Sequence, residues 1–177
     1  ALAFCYAMVF LVKTLLFGDL YLMAQTPRMY VPVYLAIKLP LVVLTGAALA
    51  LLMSALPRTV DTASEWQRSR ETAFIAIAAI LPIVLQIIGH GPAFTGMRHF
   101  IFVVPPLAVL AGLGFDRALT FLRSRQRALS VAGNAMVAIG FLWTASVLVR
   151  LHPYEYLYFN EFAGGLSGAT SRYDTDY

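Results

Sequence analysis

Three stretches carry side chains that could do chemistry in an otherwise apolar chain. The first is RMYVPVYLAIKLPLVV, residues 28–43, where Lys38 sits about two turns inside an apolar helical run and Pro40 follows closely. A cation within a membrane helix is costly and marks a functional candidate. Its long stem also lets the ammonium reach a nearby interface, so a buried polar role and a snorkelling role both stay open. Tyr30 and Tyr34 suit an interfacial aromatic belt.

The second stretch is FTGMRHFIFVVPP, residues 94–106, with Arg98 and His99 at the start of a helix that Pro105 and Pro106 then kink. A helix start offers N–H groups and partial positive charge. Added to a guanidinium and an imidazole, these suit a phosphate. Spacing alone favours the plainer role of an arginine anchoring the helix at lipid headgroups. His90 and His99 lack cysteine or carboxylate partners at metal-ligand spacing, so no metal site is assigned and cofactors remain unknown.

The third stretch is LHPYEYLYFNEFAGGLSGATSRYDTDY, residues 151–177. Alternate tyrosines, 154, 156 and 158, suggest an extended segment with one aromatic face, and Gly164, Gly165 and Gly168 suggest turns. Rings beside Asn160, Asp174 and Asp176 are what a sugar-binding surface uses. The same composition also fits an aromatic belt followed by a solvated tail. The two aspartates could serve acid–base chemistry, but no matched partner is visible and no catalytic residue is assigned.

These groups need elements to hold them, and composition says what kind. Of 177 residues, 60% are hydrophobic and 12% charged, against about one-quarter charged in ordinary soluble domains. That excludes a soluble globule and a disordered chain. The net charge of +4 is too small and scattered for a nucleic-acid partner. A lone Cys5 excludes an internal disulfide. Phosphate-binding glycine loops, HExxH and Gly-x-Ser-x-Gly are absent from the sequence.

Residues 39–57, 72–97, 99–115 and 128–149 contain no Asp, Glu, Lys or Arg. About 20 apolar residues cross a bilayer as a helix. The pattern predicts an all-α polytopic bundle with spans near 32–55, 72–89, 99–115 and 129–149. The run 1–17, broken only by Lys13, would be a truncated crossing or an interfacial helix. The bundle would occupy 1–150 and a short truncated tail 151–177. Prolines within the spans are tolerable because neighbouring groups re-satisfy the freed carbonyls, and clustered Gly and Ala permit close helix contact. Without a starting Met or a signal peptide, the chain reads as an internal piece of a longer membrane protein.

The loop 56–71 holds Arg58, Arg68 and Arg70, and the loop 116–128 holds Arg117, Arg123, Arg125 and Arg127. The positive-inside rule puts both in the cytoplasm and leaves the tail outside.

Three pieces then carry a resemblance: MYVPVYLAIKLPL (29–41), RHFIFVVPPLAVLAG (98–112) and HPYEYLYFNEFAGGLSGATSRYDTDY (152–177). In this order they resemble the later membrane segments of bacterial glycosyltransferases of family 39 type. These are relatives of protein O-mannosyltransferases in the glycosyltransferase-C superfamily. The resemblance implies a bacterial inner-membrane enzyme that moves a sugar from a polyprenyl-phosphate carrier to an extracytoplasmic acceptor. Its catalytic acids would lie in an early loop that is not part of this chain. It implies substrate-binding roles for Arg98 and His99 at the phosphate, and for Tyr158, Asn160, Asp174 and Asp176 in the tail. Lys38 joins them as a substrate-binding candidate on the residue reading above. One departure is that relatives often carry Tyr-Asp shortly before Arg-His, where this chain has Phe94 and Thr95. The expected partners are a lipid bilayer and a lipid-linked sugar donor, with the acceptor unidentified. The alternatives are a segment of a multi-pass transporter or flippase, and a non-catalytic membrane scaffold.

Overall fold

The structure, a computed structural model, describes residues 13–22, 25–55, 63–89 and 97–175. Their order is a hairpin, β1 (Lys13–Leu16) and β2 (Asp19–Leu22), followed by α1 (Tyr30–Lys38), α2 (Leu41–Ala55) and α3 (Ala63–Gly89). A 3₁₀ segment, Arg98–Val103, leads into α4 (Val104–Arg125), which is followed by α5 (Arg127–Leu151). Two 3₁₀ turns, Glu155–Leu157 and Glu161–Ala163, and a short α6 (Gly165–Ala169) end the described chain. The chain is mostly helical, with one small antiparallel hairpin among the described residues. It divides into two compact units.

The first unit gathers residues 1–39, 82–102 and 151–177. The tail is therefore grouped with the N-terminal elements, across the boundary expected at 150. In the hairpin Lys13 faces Leu22 and Leu16 faces Asp19. Phe17 and Gly18 form its turn at φ 55° and 93°, the double positive φ that matches the twist of the strands. Gly18 N–H donates to Arg172 O at 3.0 Å, and Leu16 bridges Tyr173. The apolar run read as a helix over 1–17 does not extend over Lys13–Leu16. Hydropathy alone does not separate a short buried strand from a helix; residues 1–12 lie outside the described residues.

The second unit comprises residues 40–81 and 103–150. Here glycine sets the helix spacing. A Cβ on Gly46 of α2 would lie 2.7 Å from Ala111 O of α4, and one on Gly114 would fall on Gly46 O. Such backbone-to-backbone approach is how helices associate where lipid removes any hydrophobic drive. On α5, a Cβ on Gly133 would meet the Leu119 side chain at 2.8 Å, and one on Gly140 would meet Val42 at 3.3 Å.

Three helical stretches are long and apolar enough to cross a membrane: Trp66–Gly89, Arg98–Arg125 and Arg127–Leu151. The count rises to four if α1 and α2 form one broken span. Much of their apolar surface points outward, including Ile88, Met136, Ile139 and Val149, as lipid-facing helices require. Two boundaries differ from the sequence reading. The span expected at 32–55 is broken between Lys38 and Leu41. The loop expected at 56–71 is helix from Ala63 onward, 56–62 lying outside the described residues, and that expected at 116–128 is helix on both sides of Gln126, which alone separates α4 and α5. A charge-free gap measures the apolar thickness to be crossed, while arginine is itself a good helix former and carries the helix past that thickness. Pro105 and Pro106 stand in the first turn of α4, where a missing N–H costs nothing. They start the helix after the 3₁₀ segment instead of kinking it.

Candidate functional site

The site grows from the break after α1. A helix carbonyl accepts from the N–H four residues on. Ala36 would need the N–H of residue 40, which is proline and has none. Leu39 turns extended, at φ −85° and ψ 142°, so the ladder stops there. One tail residue replaces the lost donors. Asn160 N–H donates to Ile37 O at 2.8 Å. Its Nδ2 donates to Ala36 O at 2.6 Å and Leu39 O at 2.7 Å. Its Oδ1 accepts from Phe162 N–H at 3.0 Å, and its carbonyl accepts from Ala163 and Gly165.

Asn160 is buried, and both protons of its amide are spent on the Ala36 and Leu39 carbonyls, which leaves its side chain no donor for a ligand. The role expected for it at the substrate is thus occupied by a structural one. Its glycine neighbours follow from the same geometry. Gly164 and Gly165 take φ of 76° and 66°, a turn that a side chain would strain.

Docking Asn160 brings the tail onto Lys38. The ammonium donates to Tyr156 O at 3.0 Å and lies 3.7 Å from the centroid of the Phe159 ring, a cation–π contact. The Asp174 carboxylate acts on it electrostatically. Asp174 is itself positioned by its backbone N–H, which donates to Tyr34 Oη at 2.9 Å. Tyr34 in turn donates to Leu15 O at 2.8 Å, and Tyr30 Oη pairs with Thr14 Oγ1 at 2.7 Å. Tyr173 touches the rings of Phe17, Tyr34 and Phe159, at centroid separations of 5.7, 6.0 and 6.2 Å.

The structure therefore brings together Lys38, Asn160 and Asp174 of the expected residues, with Tyr158 buried beside Phe159. Arg98 and His99 belong to another element, the start of the 3₁₀ segment, and both are exposed. Asp176 lies outside the described residues, as do His90, Phe94 and Thr95. The tail is not the extended strip that alternate tyrosines suggested. Tyr154 and Tyr156 are exposed while Tyr158, Phe159 and Asn160 are buried in succession, because two 3₁₀ turns replace the two-residue period. Tyr34 and Tyr173 were not singled out as site residues. Tyr30 and Tyr34 stand at i and i+4, one helix face, and that spacing fits a buried aromatic pair as well as it fits a belt.

At the tail's other end His152 Nδ1 lies 2.6 Å from Glu155 Oε1. That hydrogen bond, with backbone help, holds the Glu155 carboxyl below its ordinary value. Among the described residues no group of three or more His, Cys, Asp or Glu is placed to hold a metal ion. The chain matches no protein-family model, no curated protein and no solved structure.

Proposed function

We propose that this chain is part of an integral membrane glycosyltransferase that moves a sugar from a polyprenyl-phosphate carrier to an acceptor. The observation that carries this reading is the ammonium of Lys38, held against Tyr156 O and the Phe159 ring at the broken end of α1. In transfer, an acceptor oxygen attacks the anomeric carbon, the carbon–oxygen bond to phosphate breaks, and the phosphate leaves with the electron pair. A cation fixed where the lipid presents that phosphate stabilises the developing charge. Lys38, Arg98 and His99 are the groups proposed for this. The tail, folded as a cap with exposed Tyr154, Tyr156 and Phe162, offers rings to a sugar or acceptor. The base that activates the acceptor is assigned to a part of the protein outside this chain. In this reading the membrane is the bacterial cytoplasmic membrane, with 56–71 and 116–128 inside and the tail outside.

The broken pair α1 and α2 favours a second reading, a segment of a transporter or flippase, because such proteins build their sites at discontinuous helices. The test separates the two. The full-length protein in membranes is offered a panel of polyprenyl-phosphate sugars and followed for covalent transfer and for lipid movement. Transfer is expected, with Lys38→Met and Arg98→Ala each lowering it roughly ten-fold or more at unchanged membrane insertion. Lipid movement without a covalent product supports the second reading, and unchanged turnover in a variant removes that residue from the site.

A further inference from the structure

The second unit carries a cluster of arginines that the proposed function uses only to orient the chain. Arg68 and Arg70 stand on the first turns of α3, Arg117, Arg123 and Arg125 on the last turns of α4, and Arg127 begins α5. One contact fixes them at a common level. Arg117 Nη2 donates to Thr72 Oγ1 at 2.9 Å and to Arg68 O at 3.3 Å, and Thr72 also donates to Arg68 O at 2.7 Å. This ties the Arg68 turn of α3 to the Arg117 turn of α4. On α5, Gly133 packs against Leu119 and Leu122 of α4, which brings the start of α5 to the end of α4. All six arginines except Arg117 are exposed. The acidic residues on the same turns whose side chains are described are Glu71 and Asp116.

The company of these arginines decides the partner. Trp66, Phe121 and Leu129 are exposed among them, and the Arg125 guanidinium lies 5.4 Å from the Phe121 ring centroid. A surface facing only water would hide these rings, and one facing only hydrocarbon would exclude the arginines. A belt that mixes both belongs at the headgroup layer. Every basic residue of 40–81 and 103–150 is arginine, whose planar fork grips phosphate in two places where lysine offers a point charge. We propose that this end of the second unit binds the headgroups of anionic phospholipids, with Arg123, Arg125 and Arg127 as the gripping residues and Arg117 as the strut that holds α3 and α4 at that level.

The full-length protein is purified in mild detergent, mixed with equal amounts of phosphatidylglycerol and phosphatidylcholine, and its retained lipids are counted by native mass spectrometry. Phosphatidylglycerol adducts are expected to exceed phosphatidylcholine adducts by about three-fold, since each arginine near an anionic surface contributes attraction on the order of that factor or more. Arg123→Gln, Arg125→Gln and Arg127→Gln combined should bring the two lipids close to parity. Equal retention by the parent protein, or an unchanged preference in the triple variant, overturns the proposal. Should the triple variant fail to fold, the parent in rising salt decides it. Preference that falls with salt supports the headgroup contact, because screening shortens to about 3 Å at 1 M, and preference indifferent to salt overturns it.

Discussion

The two units hold together by different means. In the first, specificity comes from directed polar contacts: buried Asn160 and Thr14, and the hydroxyls of Tyr30 and Tyr34, each find a defined partner. In the second, close contact of backbones does the work, with Gly46 and Gly114 letting α2 and α4 touch and the Arg117–Thr72 pair as a cross-helix tie. Shape alone orients helices that have one another's whole length to pack against. A nine-residue helix, a hairpin of two four-residue strands and a tail do not, so they need hydrogen bonds whose directions allow one arrangement.

That contrast can be broken at either end, and the largest effect is expected in the polar unit. Asn160→Asp replaces two donors by a carboxylate facing the Ala36 and Leu39 carbonyls, so it buries an uncompensated charge. The cost should be about 3 kcal/mol or more. Limited proteolysis should then cut the tail near 154–165 in the variant and spare the parent. Gly114→Val is the matching lesion in the packed unit. Its side chain would collide with Gly46 O, which should cost about 1–3 kcal/mol and appear as a lower melting temperature in detergent. If the tail stays protease-resistant in this variant while melting falls, the two units respond independently.

Tyr34→Phe tests one link of the polar chain. It removes the donor to Leu15 O and the acceptor of the Asp174 amide, and should cost about 1–2 kcal/mol. Hydrogen exchange at the Asp174 amide should rise well above that at α1 amides. The smallest effect belongs to Glu155. Its carboxyl is held below the ordinary 4.5 by His152, so its contribution is present above that value and is lost as pH falls through the depressed one. Both side chains are exposed, which leaves the effect small. Glu155→Gln should abolish a small acid-side change in tail mobility seen by NMR and leave neutral-pH behaviour unchanged.

Much of the helical frame was legible in the sequence. Charge-free gaps marked the three helices long enough to cross a membrane, and the tail glycines announced turns, whereas Pro40 read as a tolerable kink in a span where the helix breaks. Helix ends were not legible, because arginine-rich segments continue a helix after the apolar need has ended, as at 116–125. The hairpin was hidden since Lys13–Leu22 carries an apolar run instead of clean alternation. The role of Asn160 was beyond local reading for another reason. Its partners lie 121 to 124 residues away, and no spacing rule relates an amide to carbonyls at that distance. Lys38 was the candidate best marked, because a charge amid apolar neighbours stands out at any range.

The Asn160 cap has a consequence in time. A ribosome makes about 5–20 residues each second, so the carbonyls at the end of α1 wait on the order of ten seconds for a donor that is 124 residues downstream. Through that interval α1 cannot settle in hydrocarbon with its end unsatisfied. The segment 30–41 is therefore expected to stay wet, or sheltered by the insertion machinery, until the tail emerges. Halting synthesis before residue 160 should leave a cysteine placed at position 39 open to a water-soluble thiol reagent, and releasing the full chain should close it.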